Sequence, residues 1–334
     1  MIELFATDES GSNLSEPTLA VDLGGTNVRA AAILPDGTIV ARRQVPTHAD
    51  AGLTEVIERV AEAVSRVAAD AGVAAEAPVG IVLPGVLNPL TGFLTIAPNL
   101  GWRDLPIRDL MAARLGRPVA IGNDVNAGAF GEWHYGAGQG TRDFIYIACG
   151  TGVGGGIITD GRLLLGRDGL AGEVGHMVVT LDGPRCNCGG HGCLEAYAGG
   201  WAIEAAAQAL LDAGIPSILT DLMDERGENL SGPLINYAAE HDDGLAIEVL
   251  SRAGRALGFA VASLVHLCNP EVVVIGGGVI SAGPFLFDPM QEALAEHLIE
   301  GFGRDLRVIP AALGQDSGLL GAAVLAQQGR QQSR

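Results

Sequence analysis

Within its 334 residues the chain has no apolar run long enough to cross a bilayer. The longest, Leu257 to Cys268, contains Ser263 and His266 and falls short of the ~20 residues that a span requires. Basic residues are scarce: 20 Lys and Arg face 39 Asp and Glu, for a formal net charge of −19. With a pI near 4.6, the chain lacks the cationic footprint on which nucleic-acid binding rests. It equally lacks a docking surface for anionic lipid. Acidity leaves a nucleotide substrate open, because backbone N–H groups and Mg2+ can hold phosphates locally. The opening MIELFATDESGSNLSEP has no basic segment of the kind that begins a secretory leader. It reads as an acidic, disordered lead-in over residues 1–17, too short for a helix-turn-helix domain. Two nucleotide signatures are also missing. There is no GxxxxGKS/T loop, and no GxGxxG opening a helix after the first strand with an acid downstream. Cysteine is limited to five residues: Cys149, Cys186, Cys188, Cys193 and Cys268. An odd, clustered set without a leader points to a reducing compartment and a candidate metal site.

Glycine is what the chain has in excess, at 49 residues, about twice the usual ~7%. The glycines gather in short runs after apolar strands, where tight turns let backbone approach a ligand. TLAVDL (18–23) is a strand, GGTN (24–27) its turn and VRAAAIL (28–34) a second strand. A Pro35-Asp36-Gly37 turn then leads into a third strand, TIVARRQV (38–45). The same order returns in DFIYIAC (143–149), GTGVGG (150–155), GIIT (156–159), the Asp160-Gly161 turn and RLLLG (162–166). Matching glycine–threonine turns in the two stretches predict an internal duplication. Between them, residues 54–71 set Val56, Val60, Val64 and Val67 on one helical face. VGIVLPG (79–85) and PVAIGND (118–124) read as buried strands, and VNAGAFGEW (125–133) starts a helix. Further on come helices over 201–214 and 244–269, the latter long and widely apolar. A strand-to-glycine turn, VVVIGGGVI (272–280), and a closing helix at 318–328 complete the chain. Two domains or lobes are expected at this length.

Bare glycine amides admit a phosphate oxygen. Gly24 and Gly25, with Thr26 and Asn27 as side-chain donors, form one candidate phosphate turn, and Gly150, Thr151 and Gly152 form another. The glycine run at 276–278 could let an adenine ring lie flat on backbone. Asp124 stands where a strand meets a helix. Asn123 or Asp124 suits the N-cap there, and the same place suits a carboxylate that accepts a hydroxyl proton. His176, Cys186, Cys188 and Cys193 give H-x9-C-x-C-x4-C, four ligands for a closed tetrahedral Zn2+. Three buried thiols, or a disulfide with one thiol left over, fit the same residues. Gly189, Gly190 and Gly192 let the chain wrap around an ion. Glu173 and Glu195 flank the cluster, though surface acids read the same way. Cys149 and Cys268 read as core residues.

Together, DLGGTNVR, GNDVNAGAFGE, CGTGVGGG, GEVGH, CNCGGHGCLE and VVVIGGGV resemble the motif set of the ROK family of sugar kinases, repressors and related proteins, from Thr18 to Gln328. The resemblance implies an α/β, actin/hexokinase-like (ribonuclease H-like) ATPase fold, duplicated, with two lobes and an interlobe cleft. The small lobe would comprise 18–125 plus the C-terminal helix 316–330, and the large lobe 126–315 with the zinc loop. It further implies phosphorylation of a hexose at its 6-hydroxyl by MgATP, with Asp124 as general base. Asn99, Asn123, Asp124, Glu173, His176 and Glu195 would clamp the sugar. Gly24, Gly25, Thr26, Asn27, Gly150, Thr151, Gly152, Gly277 and Gly278 would hold the nucleotide, and Asp22 would organise Mg2+ through water. His176 would serve zinc through one ring nitrogen and the sugar through the other. The Asn-Asp-Val-Asn form at 123–126 is similar to that of the family's glucokinases, so glucose is the expected hexose. N-acetylmannosamine, N-acetylglucosamine and fructose are the alternatives, and polyphosphate is an alternative donor. A sugar-sensing regulator is the reading from another class. The short lead-in and the net charge of −19 weigh against it. A homodimer or homotetramer in the cytoplasm, with no nucleic-acid or membrane partner, completes the expectation.

Overall fold

The structure, a computed structural model, describes residues 16–332. Most of the expected lead-in, residues 1–15, lies outside the described residues. Strand β1 (Thr18–Leu23) leads to β2 (Asn27–Ile33), β3 (Ile39–Pro46), helix α1 (Leu53–Asp70) and β4 (Val79–Leu83). A small antiparallel sheet of β5 (Val86–Asn88), β6 (Phe93–Ala97) and β7 (Trp102–Leu105) follows, then α2 (Ile107–Leu115), β8 (Val119–Asn123) and α3 (Asp124–Tyr135). The second series opens with β9 (Phe144–Cys149), β10 (Val153–Thr159) and β11 (Arg162–Leu163). Helices α4 (Glu195–Ala198), α5 (Gly200–Asp212), α6 (Leu219–Arg226), α7 (Gly232–Glu240) and α8 (Gly244–Cys268) come next. The chain ends through β12 (Val272–Gly276), α9 (Pro284–His297), β13 (Arg307–Pro310) and α10 (Ser317–Gln332).

Both five-stranded sheets have one strand order, β3-β2-β1-β4-β8 and β11-β10-β9-β12-β13. This repeated order carries the duplication that the matched glycine turns predict, in the α/β architecture of the actin/hexokinase-like fold. In the first sheet β1 pairs antiparallel with β2 and parallel with β4, and β4 pairs parallel with β8. Asp22 is in register with Val82, and Leu83 with Asn123. The C-terminal ends of three parallel strands therefore bring Asp22, Leu83 and Asn123 to one sheet edge, where open α/β sheets bind ligands.

Two element ends differ from the sequence reading. Strand β10 begins at Val153, inside the glycine run, so the second turn is confined to 150–152. The strand read at 162–166 is two residues long: it lies at a sheet edge and pairs with β10 only through Arg162 and Leu163. The strand-to-glycine turn read at 272–280 is observed: β12 ends at Gly276, and Gly277 turns the chain at φ 88°, a conformation through which a strand cannot continue.

The chain forms two compact units. Met1–Tyr146, Gly156–Gly172 and Ala311–Arg334 make the first, and Ile147–Gly155 and Glu173–Pro310 the second. Residues 126–146, 156–172 and 311–315, expected in the large lobe, thus belong with the first unit. Helix α3 is the reason. A Cβ on Gly131 would run into the carbonyl of Ser317, and one on Gly321 into that of Ala127, so α3 lies directly on α10. Within this unit, α1 buries the predicted face, with Val56, Val60, Val64 and Val67 at most 2% exposed. Each such valine contributes about 1.5 kcal/mol or more. They pack on Leu19, Val21, Val79 and Ile81 of the sheet, whose other face meets Leu319, Ala322 and Ala323 of α10. In the second unit α8 is mostly buried, as its apolar composition predicts. Gly254 and Gly258, one turn apart, let the backbone of α9 approach it closely.

Candidate active site

In the first unit, Asn123 caps α3. Its Oδ1 accepts from the amides of Val125 (2.9 Å) and Asn126 (3.2 Å), and its Nδ2 donates to Gly85 O at 3.2 Å. Asp124 is the first residue of the helix, and its Oδ1 accepts from the Val125 amide at 2.9 Å. Capping therefore falls to Asn123. Asp124 holds a half-buried carboxylate at a helix N-terminus, where the backbone dipole favours negative charge.

The turn at 24–27 closes through Gly24 N–H to Asn27 O at 2.9 Å. Thr47, fully buried, fastens it from behind: its Oγ1 donates to Gly24 O at 2.7 Å and its amide to Thr26 O at 2.8 Å. Sequence reasoning missed Thr47, whose one signal is a small polar residue just past the strand at 38–45. Thr26 remains exposed. Gly25 lies against Asn99, so the structure joins this turn to a residue of the expected sugar clamp.

Asp22 is 8% exposed and paired with Arg29, which also donates to Gln315 O at 2.7 Å. Burial pushes the Asp22 carboxyl above the usual carboxylate range, and the Arg29 charge and hydrogen bond offset only part of this. A Cβ on Gly318 would lie 3.5 Å from Asp22 Oδ2 and 3.8 Å from Asp124 O. The start of α10 thus reaches both acids.

In the second unit, the Gly150 amide donates to Gly152 O at 2.9 Å, leaving Thr151 exposed as Thr26 is in the first turn. The start of α5 abuts this turn, with Gly200 N–H bonded to Gly150 O at 2.8 Å. A Cβ on Gly199 would lie 3.2 Å from Thr151 O. Sequence reasoning passed over Gly199 and Gly200, although a Gly-Gly pair before an apolar helix is the signal. Gly277 sits on the backbone of Cys149 with no room for a side chain, and Gly278 begins a short 3-10 helix, Gly278–Ala282. Residues 150–152, 199–200 and 277–278 therefore converge.

Glu195 ties this turn to the cysteine cluster. Its Oε2 accepts from the Val153 amide at 3.0 Å, and the Cys186 thiol donates to its Oε1 at 3.7 Å. Gly175 packs on the carbonyl of Val153, which brings the exposed Glu173 and His176 beside the same residue. One ligand atom from each of His176, Cys186, Cys188 and Cys193 lies within 4.8 Å of the others. Cys188 and Cys193 sulfurs are 3.7 Å apart, and Cys186 Sγ is 3.9 Å from His176 Nδ1. Zinc–sulfur bonds of ~2.3 Å in a tetrahedron place sulfurs about 3.8 Å apart, whereas a disulfide needs ~2 Å. The donor set fits a closed zinc site. His191 pairs with Arg185 in an isolated bridge and stands outside the cluster. As thiols the three cysteines differ: burial pushes Cys186 up to about 12 and raises Cys193, while the Gly190 amide lowers Cys188. Cys149 is buried as expected, whereas Cys268 is half-exposed. A surface hollow of about 690 Å³, lined by Trp133, His134, Arg142, Asp160 and Arg162, contains none of the expected site residues.

The ROK family model matches residues 18–329. The glucokinase of Thermotoga maritima is 38% identical over 307 residues, 91% of this chain and 95% of that protein. A ROK family glucokinase from Streptomyces griseus, solved with glucose and AMPPNP, superimposes with a TM-score of 0.79 at 37% identity, covering 94% of this chain and 100% of that one. A ROK family transcriptional regulator homologous to the E. coli Mlc protein reaches a TM-score of 0.83 at 30% identity, over 95% of this chain and 79% of that one. This chain belongs to the ROK family.

Proposed function

We infer that this chain is a glucokinase, transferring the γ-phosphoryl group of ATP to the 6-hydroxyl of glucose. The observation that carries the reading is its 38% identity to the Thermotoga maritima glucokinase across 95% of that protein. The similarity to the Streptomyces griseus glucokinase, solved with glucose and AMPPNP, supports both substrates. The regulator matches over a smaller share of its own length, 79%, so the kinase reading is preferred.

Asp124, at the end of β8 and the start of α3, takes the proton of the 6-hydroxyl. The sugar oxygen attacks the γ-phosphorus as the bond to the β–γ bridging oxygen breaks, releasing ADP. This chemistry needs alignment and charge neutralisation more than covalent help. The chain contains no lysine, so phosphate charge falls to bare amides, arginine and metal. The amides at Gly24–Asn27 and Gly150–Gly152 are the candidate cradles, and Gly277 and Gly278 the candidate adenine platform. Mg2+ would supply charge neutralisation for the phosphates, and the buried Asp22 is the carboxylate suited to hold its water shell. Asn99, Asn123, Glu173, His176 and Glu195 are assigned to the sugar hydroxyls.

His176, Cys186, Cys188 and Cys193 would hold a structural zinc. Four protein ligands close its shell, so it braces the loop that carries Glu173 and Glu195. Among the described residues no helix is long and apolar enough to cross a membrane. We place the protein in the cytoplasm, as a homodimer or homotetramer. The testing experiment is a coupled ADP-release assay across glucose, mannose, fructose, N-acetylmannosamine and N-acetylglucosamine, with ATP or polyphosphate as donor. Glucose with ATP is expected to give the highest kcat/KM; no ADP release with any sugar would leave the regulator reading.

A further inference from the structure

Eight residues beyond Asp124 on α3 stands a carboxylate that the mechanism does not use. Glu132 is fully buried, and its carboxylate accepts from three backbone amides. Its Oε2 accepts from Ala137 at 3.0 Å and Ala312 at 3.1 Å, and its Oε1 from Leu313 at 2.8 Å. Buried carboxylates are uncommon unless every oxygen is satisfied. Three donors converging on two oxygens suit an acceptor-only group. Two of those donors come from about 180 residues away in sequence, from the segment that leads into α10.

That segment touches the reacting acids. Arg29, the partner of Asp22, donates to Gln315 O, and Arg42 reaches Asp316 at 2.7 Å. The Ser317 hydroxyl donates to Gly314 O at 3.1 Å, and Ser317 O lies against Gly131 of α3. Gly318 then lies against both Asp22 Oδ2 and the Asp124 carbonyl. Residues 312–318 form a strap anchored at one end by Glu132 and ending between the two acids. We propose that Glu132 is a positioning residue: by pinning this strap to α3 it sets the placement of Asp22 relative to Asp124. The proposal rests on the kinase reading, which gives those two acids their tasks.

The test is Glu132→Gln, which keeps the shape but turns an NH2 group toward an amide donor. Displacing strap and acids by a fraction of an ångström is expected to lower kcat by about tenfold or more, as misplacements from distant mutations do. KM for glucose should move by less than about threefold, and half-saturating Mg2+ should rise because Asp22 is displaced. Glu132→Asp, still acceptor-only but shorter, should fall between the two. A kcat within about twofold of wild type at 25 °C, with only the melting temperature lowered, would reduce Glu132 to a stability role and overturn the proposal. Gly136→Ala is the second variant, because its methyl would push the carboxylate without removing it, and the same kcat loss is expected. Hydrogen exchange on the wild-type protein needs no variant. The Ala312 and Leu313 amides should be among the slowest outside regular elements; exchange at free-loop rates overturns the anchor. Wild type without sugar kinase activity would sink the functional reading instead, whereas an active wild type with an unaltered Glu132→Gln sinks only this inference.

Discussion

Gly25 and Asn99 are in contact: a Cβ on Gly25 would stand 2.9 Å from the Asn99 carbonyl oxygen and 3.1 Å from its Cβ. The turn at 24–27, the candidate phosphate cradle, and the segment carrying Asn99, the candidate sugar ligand, therefore rest on each other. Gly25→Ala must displace backbone, because the nearest atom is a carbonyl and not a flexible side-chain tip. Both glucose KM and ATP KM are expected to rise, each by about tenfold, since one shift moves two binding elements. Steady-state kinetics with each substrate varied checks this. A rise in one constant alone would mean that the two elements move independently.

Asp22 is expected to show a conflict between stability and activity. Burial raises its carboxyl above the ordinary range despite Arg29. A carboxyl raised in the fold binds its proton more tightly there than in the unfolded chain. Its stabilising contribution is complete below the unfolded value of ~3.9 and is lost as pH rises through the raised folded value. At pH 8 the charged form is thus held at a cost. Asp22→Asn, neutral and of the same shape, should keep or raise the melting temperature at pH 8 while lowering kcat by about a hundredfold through loss of the metal's water shell. Differential scanning calorimetry beside the ADP-release assay reads both. A large drop in melting temperature would show that the Arg29 pair outweighs desolvation.

Zinc is expected at about one ion per chain, held by the four side chains clustered within 4.8 Å. Elemental analysis of the purified protein measures it. Removal with a chelator should expose Cys188 to thiol reagents first, because its neighbouring amide favours the thiolate. Glu195 touches both Cys186 and the Val153 amide, so metal loss should also raise ATP KM. No metal in freshly purified protein, with Cys186, Cys188 and Cys193 all free to react, would reject the site.

Cys149 is fully buried on β9, and burial pushes its thiol up to about 12. In the native protein it should stay unmodified by thiol reagents at pH 8 and react only on unfolding. Linkage has the same sign as for Asp22. The buried thiol stabilises the fold fully below the unfolded value of ~8.5, and this is lost as pH rises toward 12, at about 1.4 kcal/mol per pH unit. Cys149→Ala should flatten that alkaline decline in denaturation experiments. An unchanged slope would assign it to other groups.

Much of the fold was legible because its periodicities are strong. The valine stripe of α1, the apolar length of α8 and the paired glycine–threonine turns each map onto an observed element. The small sheet β5–β7 was not legible, since its strands are only three to five residues long and alternation over so few residues is weak. The strand at 162–166 was overextended because apolar Leu164 and Leu165 signal a strand, whereas the edge strand is paired only as far as Leu163. Among site residues, the cysteine cluster was legible from spacing alone. Thr47 and Glu132 were not, because their tasks lie in bonds to backbone far away in sequence. No local pattern encodes such bonds.

The most direct measurement is glucose binding and phosphoryl transfer in Asp124→Asn. The substitution keeps the size of the side chain and removes the proton acceptor. Calorimetry should find glucose affinity within about tenfold of wild type, while single-turnover phosphorylation falls by about a hundredfold or more, in the range of general-base losses. Near-wild-type turnover in that variant would contradict the account, because the hydroxyl proton would then be leaving by another route.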